Sequence, residues 1–176
     1  EPGSPQYMRA RGHEARLVQP TGGDGIDMTP GAMTYAVPFD RPYEWTKAGD
    51  RRNFHVMTTP AGLAEIKTYA DGIGPWKRYI VSLRGSTGSD GKPVDVNGDG
   101  KIDDADATST TPTRLVADAH AAGLFVHPFT FRNEARRLAA VYDKEPRNEY
   151  AAYYRLGVDG VFSDFPDTAL AARADY

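Results

Sequence analysis

An α/β fold built on a parallel sheet is what this sequence predicts, and three observations predict it. The first is a recurring unit of capped helix, glycine stop and short apolar strand. It spans 58–75 and again 110–126, and a third helix closes at Leu156-Gly157 before Val158 to Phe162. Alternation of helix and strand in this way marks βαβ units. The second is a pair of apolar runs that end in polar clusters. They are Val126-His127-Pro128-Phe129-Thr130-Phe131-Arg132 and Gly160-Val161-Phe162-Ser163-Asp164-Phe165-Pro166-Asp167. Parallel strands whose C-terminal ends carry chemistry read this way. The third is size: 176 residues at 40% hydrophobic content suit one domain, or part of a larger one.

Taken in order, residues 1–6 read as a flexible lead-in and Arg16-Leu17-Val18-Gln19 as a strand stopped by Pro20 and Gly22-Gly23. Residues 24–53 read as one irregular, aromatic, lid-like loop, with Tyr35, Phe39, Tyr43 and Trp45 among Pro30, Pro38 and Pro42. Stretches of this length are usually lids or binding loops, and an ordered surface excursion is the other reading. Thr58-Thr59-Pro60 opens a helix with Leu63, Ile66 and Ala70 on its apolar side, and Thr110-Thr111-Pro112 opens one with Leu115, Val116, Ala119 and Ala122. In both, threonine is the expected N-cap and proline the first helical residue, where a missing N–H costs nothing. Arg78 to Leu83 is a further strand candidate. Three or four strands can be counted in all. A closed (β/α)₈ barrel needs eight strands and roughly 250 residues. The chain therefore reads as the C-terminal portion of a TIM barrel, about three to four βα units, within a single domain over 1–176. A small open sheet is the alternative on counting alone.

Charge and composition exclude several classes. The net charge is −3, and most of it sits between 95 and 106, where five aspartates face one lysine; the rest is close to neutral. With a pI near 5.8, nothing suggests a nucleic-acid partner. There is no cysteine, so neither disulfides nor thiolate ligands are needed. No apolar run is long enough to span a membrane. The first residues, Glu1-Pro2-Gly3-Ser4-Pro5, carry no initiator methionine, and the natural start is expected elsewhere.

Asp95-Val96-Asn97-Gly98-Asp99-Gly100-Lys101-Ile102-Asp103-Asp104-Ala105-Asp106 is the strongest local motif. It follows D-x-[DN]-x-[DN]-G. Asp95, Asn97 and Asp99 would supply side-chain oxygens, Lys101 its backbone carbonyl, Asp103 a contact through water, and Asp106 the twelfth position, where glutamate is usual. Ile102 stands where an apolar residue packs such a loop onto its body. Carboxylates this close repel one another unless a cation intervenes, and Ca²⁺ prefers six to eight hard oxygens. A solvated acidic turn is the plain alternative. The spelling is similar to the calcium loops of dockerin-type repeats, although only one copy is present. A structural role is expected of it.

Four segments, in order, resemble the longer, periplasmic-type glycerophosphodiester phosphodiesterases. They are Leu17-Val18-Gln19, Tyr69-Ala70-Asp71-Gly72-Ile73-Gly74-Pro75, Val126 to Arg132 and Gly157 to Asp167. The resemblance covers roughly residues 6–172. It implies a TIM barrel that hydrolyses a glycerophosphodiester to an alcohol and glycerol 3-phosphate, with two histidines as acid and base and a Ca²⁺ or Mg²⁺ held by carboxylates. It also implies an extracellular or periplasmic setting. The acidic loop departs from the family pattern.

The family's H-R-G and E-x-D motifs are absent from this chain. His13, in Arg11-Gly12-His13-Glu14, reads as a surface residue, and His55 and His120 as loop and helix residues. No catalytic residue is therefore assigned. The resemblance implies that Gln19, His127, Phe129 and Arg132 contact substrate at the rim, with Arg132 pairing with phosphate, Glu134 or Glu145. Asp164 reads first as a residue of the final turn. The expected whole is a fragment that contributes the pocket rim and a structural Ca²⁺ loop, is inactive alone, and needs the missing N-terminal half of its barrel. The rival readings are a non-catalytic, calcium-stabilised binding or structural module and a dockerin-like adaptor.

Overall fold

The computed structural model describes residues 1–23 and 41–176, and its centre is a short parallel sheet. Strands β1 (Val18–Thr21), β2 (Gly72–Pro75) and β5 (Phe125–Val126) lie side by side in that order. β1 and β2 pair in parallel from Val18↔Gly72 to Thr21↔Pro75, and β2 and β5 at Gly72↔Phe125 and Ile73↔Val126. Pairing continues beyond β5. Trp76 bridges Phe129 and Phe131 bridges Ser163, both in parallel. The stretch after Gly157 therefore joins as a fourth parallel segment, held by Phe162 N–H on Pro128 O (2.9 Å) and Phe131 N–H on Phe162 O (3.0 Å). The strand expected at Val158 to Phe162 is bonded near its start as well, by Asp159 N–H on Val126 O (3.0 Å).

Helices α3 (Pro60–Lys67), α4 (Leu115–Ala121), α5 (Pro146–Arg155) and α6 (Pro166–Ala174) follow the four parallel segments in turn. They cover one face of the sheet. Leu63, Ile66, Ile73, Ala119, Val126 and Tyr153 form its core at 0–1% exposure. Burying each of the larger side chains stabilises the fold by about 1.5–3 kcal/mol. Thr59 caps α3 as expected, its side chain accepting from Gly62 N–H, with Pro60 at the first position. Gly123 and Gly157, both at positive φ, follow the ends of α4 and α5.

Several expectations are corrected. Residues 1–6 are not a loose lead-in, because α1 (Gly3–Ala10) begins among them, with Pro5 buried and Gly3 N–H bonded to Glu44 Oε1 (2.8 Å). Pro20 does not stop β1, which runs on to Thr21. Among the described residues β1 is an edge strand, where a missing N–H leaves no ladder bond unmade. Within the 24–53 loop Tyr43–Lys47 forms α2, while Tyr35 and Phe39 lie outside the described residues; just after it Phe54–Thr58 is a 3₁₀ turn. Thr111-Pro112 does not open α4. That helix starts at Leu115 without a side-chain cap, and Thr113 Oγ1 instead donates to Tyr79 O (2.8 Å). Arg78 to Leu83 is not one strand. Lys77–Tyr79 is a 3₁₀ turn, and only Leu83–Gly85 is extended, as β3, antiparallel to β4 (Ala107–Ser109). The acidic loop is the excursion between these two strands.

Candidate functional site

Alternation along β1 and β2 sorts the side chains onto two faces. Leu17, Gln19, Thr21 and Ile73 are buried, whereas Val18 is half-buried and Pro20 exposed. The opposite face carries Val18, Gly72, Gly74, Phe125, His127 and Phe162. A Cβ added at Gly72 would stand 2.4 Å from the Phe125 ring, and one at Gly74 would meet the Val18 side chain at 3.2 Å and the Phe162 ring at 3.4 Å. The two glycines thus open room for aromatic rings from the neighbouring segments. Phe162 is 46% exposed on this face, and among the described residues no helix covers it.

At the C-terminal end of the same face stand Trp76 and Phe129, joined by their bridge, with Lys77 N–H bonded to Phe129 O (2.7 Å) and Phe129 N–H to Pro75 O (3.0 Å). Trp76 meets the Tyr79 ring edge-on at 6.1 Å. Sequence reasoning missed Trp76. The signal was there, because it continues the Gly72, Gly74 alternation directly after Pro75.

The four predicted rim residues are not brought together. Gln19 is fully buried towards the helices, with its Oε1 accepting weakly from Tyr69 OH (3.4 Å) and its Nε2 donating to Pro20 O (2.7 Å). His127 lies at mid-sheet, its N–H bonded to Ile73 O (2.9 Å). Its ring packs against Phe125 at 4.7 Å and Phe162 at 6.1 Å. Burial pushes the imidazole below its ordinary value, against the pull of Asp159, so the ring is neutral at pH 7. Gly160 gives it room: a Cβ there would stand 2.8 Å from His127 Nε2. Phe129 is at the rim itself. Arg132 pairs with Glu134 (2.7 Å) and Asp164 (2.9 Å) and makes no pair with Glu145. Its hydrogen bonds hold Glu134 down to about 2. A phosphate reaching Arg132 would have to compete with two carboxylates. Asp164 takes part in the final turn through Arg132, but Ser163 closes it. Ser163 Oγ accepts from Phe165 N–H (2.8 Å) and lies 2.6 Å from Tyr150 OH.

Behind the rim lies a buried charged group that no sequence pattern announces. Lys77 Nζ lies 2.8 and 2.7 Å from the two carboxylate oxygens of Glu149 and 5.2 Å above the Phe131 ring. Arg78 reaches Asp104 at 2.9 Å and Glu149 at 3.5 Å. Lys77, Arg78 and Glu149 are 4%, 2% and 0% exposed. Burial pulls Lys77 below its ordinary value, and the Glu149 carboxylate opposes it.

Of the other histidines, His13 is exposed, and exposed His55 lies 6.1 Å from the Tyr79 ring that meets Trp76. His120 on α4 pairs with Asp159 at 2.9 Å, and Asp159 also holds Val126 N–H at 2.8 Å.

In the acidic loop the carboxylates turn inward onto backbone N–H groups. Asp95 accepts from Gly98, Asp99 and Gly100, Asn97 from Asp99, Asp99 from Lys101, and Asp103 from Ala105. Asp106, 2% exposed, accepts from Val96 (2.7 Å), Asn97 (3.2 Å) and Asp103 (3.0 Å). Ile102 is 44% exposed and does not pack the loop onto the body, contrary to expectation. Among the described residues no three His, Cys, Asp or Glu side chains converge to hold a metal ion, and no helix is long and apolar enough to cross a membrane.

Comparison with known proteins agrees with the strand-end motifs. The chain matches the Glycerophosphoryl diester phosphodiesterase family over residues 33–168. It is 38% identical over 115 residues to Glycerophosphodiester phosphodiesterase GDPD6 of Arabidopsis thaliana, covering 65% of this chain and 25% of that protein. It is 30% identical over 118 residues to the Glycerophosphodiester phosphodiesterase of Haemophilus influenzae, covering 67% of this chain and 27% of that protein. A 36% identity over 115 residues relates it to Glycerophosphodiester phosphodiesterase GDPDL1 of Arabidopsis thaliana, across 64% of this chain and 12% of that protein. The chain therefore spans about a quarter or less of the length of these relatives. With most of its residues inside the family match and the strand-end motifs in order, the chain belongs to the Glycerophosphoryl diester phosphodiesterase family.

Proposed function

We propose that this chain is the C-terminal part of a TIM barrel that hydrolyses glycerophosphodiesters to an alcohol and glycerol 3-phosphate. It supplies wall and rim of the substrate pocket and not the catalytic acid and base. The observation that carries this reading is the series of four parallel segments in chain order, with Trp76, Phe129 and Arg132 at their C-terminal ends. Barrel enzymes place their chemistry at that end. His127, neutral and packed between Phe125 and Phe162, would form the pocket floor, and Gln19 would hold β1 from behind. The described residues do not fit a catalytic divalent metal, since no acidic cluster converges near the rim. In this reading the metal and its ligands belong to the rest of the barrel, and an extracellular or periplasmic setting goes with them.

The test is turnover of glycerophosphocholine in the presence of Ca²⁺ or Mg²⁺. The purified 176-residue chain is expected to show none, and a longer polypeptide that adds the N-terminal half of the barrel is expected to be active. Metal-dependent turnover by the short chain would overturn the division of labour.

The acidic loop is proposed as a structural Ca²⁺ site. Its donor set is hard oxygen throughout: Asp95, Asn97, Asp99, Asp103 and Asp106 with the Lys101 carbonyl. As the loop stands those carboxylates serve backbone N–H groups, so an ion would replace some of these bonds. Ca²⁺ is expected to raise the melting temperature and Asp99→Ala to abolish the gain. A melting temperature indifferent to EDTA would count against the ion.

A further inference from the structure

We propose that the buried Lys77–Glu149 ion pair is the positioning element of the substrate rim, fixing Trp76 and Phe129 in place. The inference rests on the phosphodiesterase reading for its kinetic consequence only. Lys77 follows Trp76 at the end of β2 and touches three structures at once. Its N–H holds Phe129 O at 2.7 Å, its carbonyl accepts from Tyr153 OH at 2.9 Å, and its ammonium lies between both Glu149 oxygens at 2.8 and 2.7 Å. The ammonium also lies 5.2 Å above the Phe131 ring, which stacks on Tyr150 at 4.9 Å and meets Tyr153 edge-on at 5.0 Å. The ends of two neighbouring parallel segments and helix α5 thus meet at one residue, its backbone bonded to Phe129 and Tyr153 and its side chain to Glu149 and the Phe131 ring.

Stability alone does not account for such a pair. Two desolvated charges are often no better for stability than apolar residues of the same size, whereas removing one partner alone is strongly destabilising. What the pair adds is direction. In this proposal the buried ammonium has to stay beside the Glu149 carboxylate, which confines the strand end more than an apolar contact would. Removing Lys77 and Glu149 together costs Arg78 its 3.5 Å contact with Glu149 but leaves it paired with Asp104 at 2.9 Å, so no buried charge is left without a counter-charge.

The test is the double variant Lys77→Met with Glu149→Leu, made in the longer active polypeptide. The single variants strand a charge and are avoided for that reason. Amide hydrogen exchange followed by mass spectrometry reads the rim directly. Exchange is expected to rise about tenfold in peptides spanning 76–79 and 128–131, with 17–19, 72–74 and 125–127 unchanged and the melting temperature kept. KM for glycerophosphocholine is expected to rise about fivefold with kcat within about twofold, the signature of lost binding geometry. Exchange that is unaltered, or raised evenly across the sheet, would overturn the proposal, as would rim exchange that rises with no change in KM. Should the wild-type polypeptide fail to hydrolyse glycerophosphocholine, the phosphodiesterase reading fails, and the exchange measurement still decides the positioning role.

Discussion

Asp106 shows how much a single side chain can carry. Burial alone would raise its pKa, yet bonds from the Asp103, Asn97 and Val96 N–H groups outweigh burial and hold it below the usual carboxylate range. A carboxylate depressed in the folded state contributes stability that is complete above its unfolded pKa and is lost as pH falls through the folded one. The window therefore opens below about pH 4. In Asp106→Asn the amide keeps one accepting oxygen, so the loop is expected to lose about 1–3 kcal/mol at pH 7. The acid-induced loosening below about pH 4 should flatten. Chemical denaturation at several pH values checks both, and an unaltered acid limb would show that the loop is held elsewhere. The sequence located this residue by its spacing, as position twelve of a motif, but not its bonds to Val96 and Asn97. Residue types are legible in one dimension, and the direction of a carboxylate is not. His127 carries the same lesson, since its position before Pro128 was visible and its packing between two rings required the sheet.

At the scale of elements, sequence signals worked where local chemistry decides. Thr59-Pro60 opens α3 because threonine can accept from Gly62 N–H. Thr111-Pro112 is the same spelling and opens nothing, because Thr113 is drawn to Tyr79 O and the chain between 80 and 113 is fixed by long-range bonds such as Thr113 N–H on Ile80 O (2.8 Å). Thr59→Ala is accordingly expected to cost about 1 kcal/mol of stability. Thr111→Ala, exposed and uncapping, should stay within about 0.5 kcal/mol. Urea denaturation of the two variants separates them, and equal losses would contradict the observed start of α4. The run Arg78 to Leu83 reads as a strand from sequence because apolar burial is common to strands and turns. What decides it is the Ile80 and Val81 N–H bonds back to Lys77 O, which no periodicity reports.

Across the whole molecule, the order of the parallel segments was legible and their register was not. Pairings such as Gly72↔Phe125 and Trp76↔Phe129 join residues some fifty positions apart, and the Lys77–Glu149 contact spans 72. Such contacts depend on the packing of every unit between them. The expected inactivity of the short chain belongs to this scale too, because it follows from a sheet whose rim holds aromatic rings and a neutralised arginine rather than an acid and a base. The glycine-lined face has one more consequence. The core residues Leu63, Ile66, Ile73, Val126 and Tyr153 lie on the helix side, away from Val18, Phe125 and Phe162. In the proposed barrel, the chain would then be an exchangeable part. A protein engineer could recombine it with N-terminal segments from other members of the family, reading compatibility from Val18, Phe125, His127, Phe162 and two glycines while leaving the helix layer untouched.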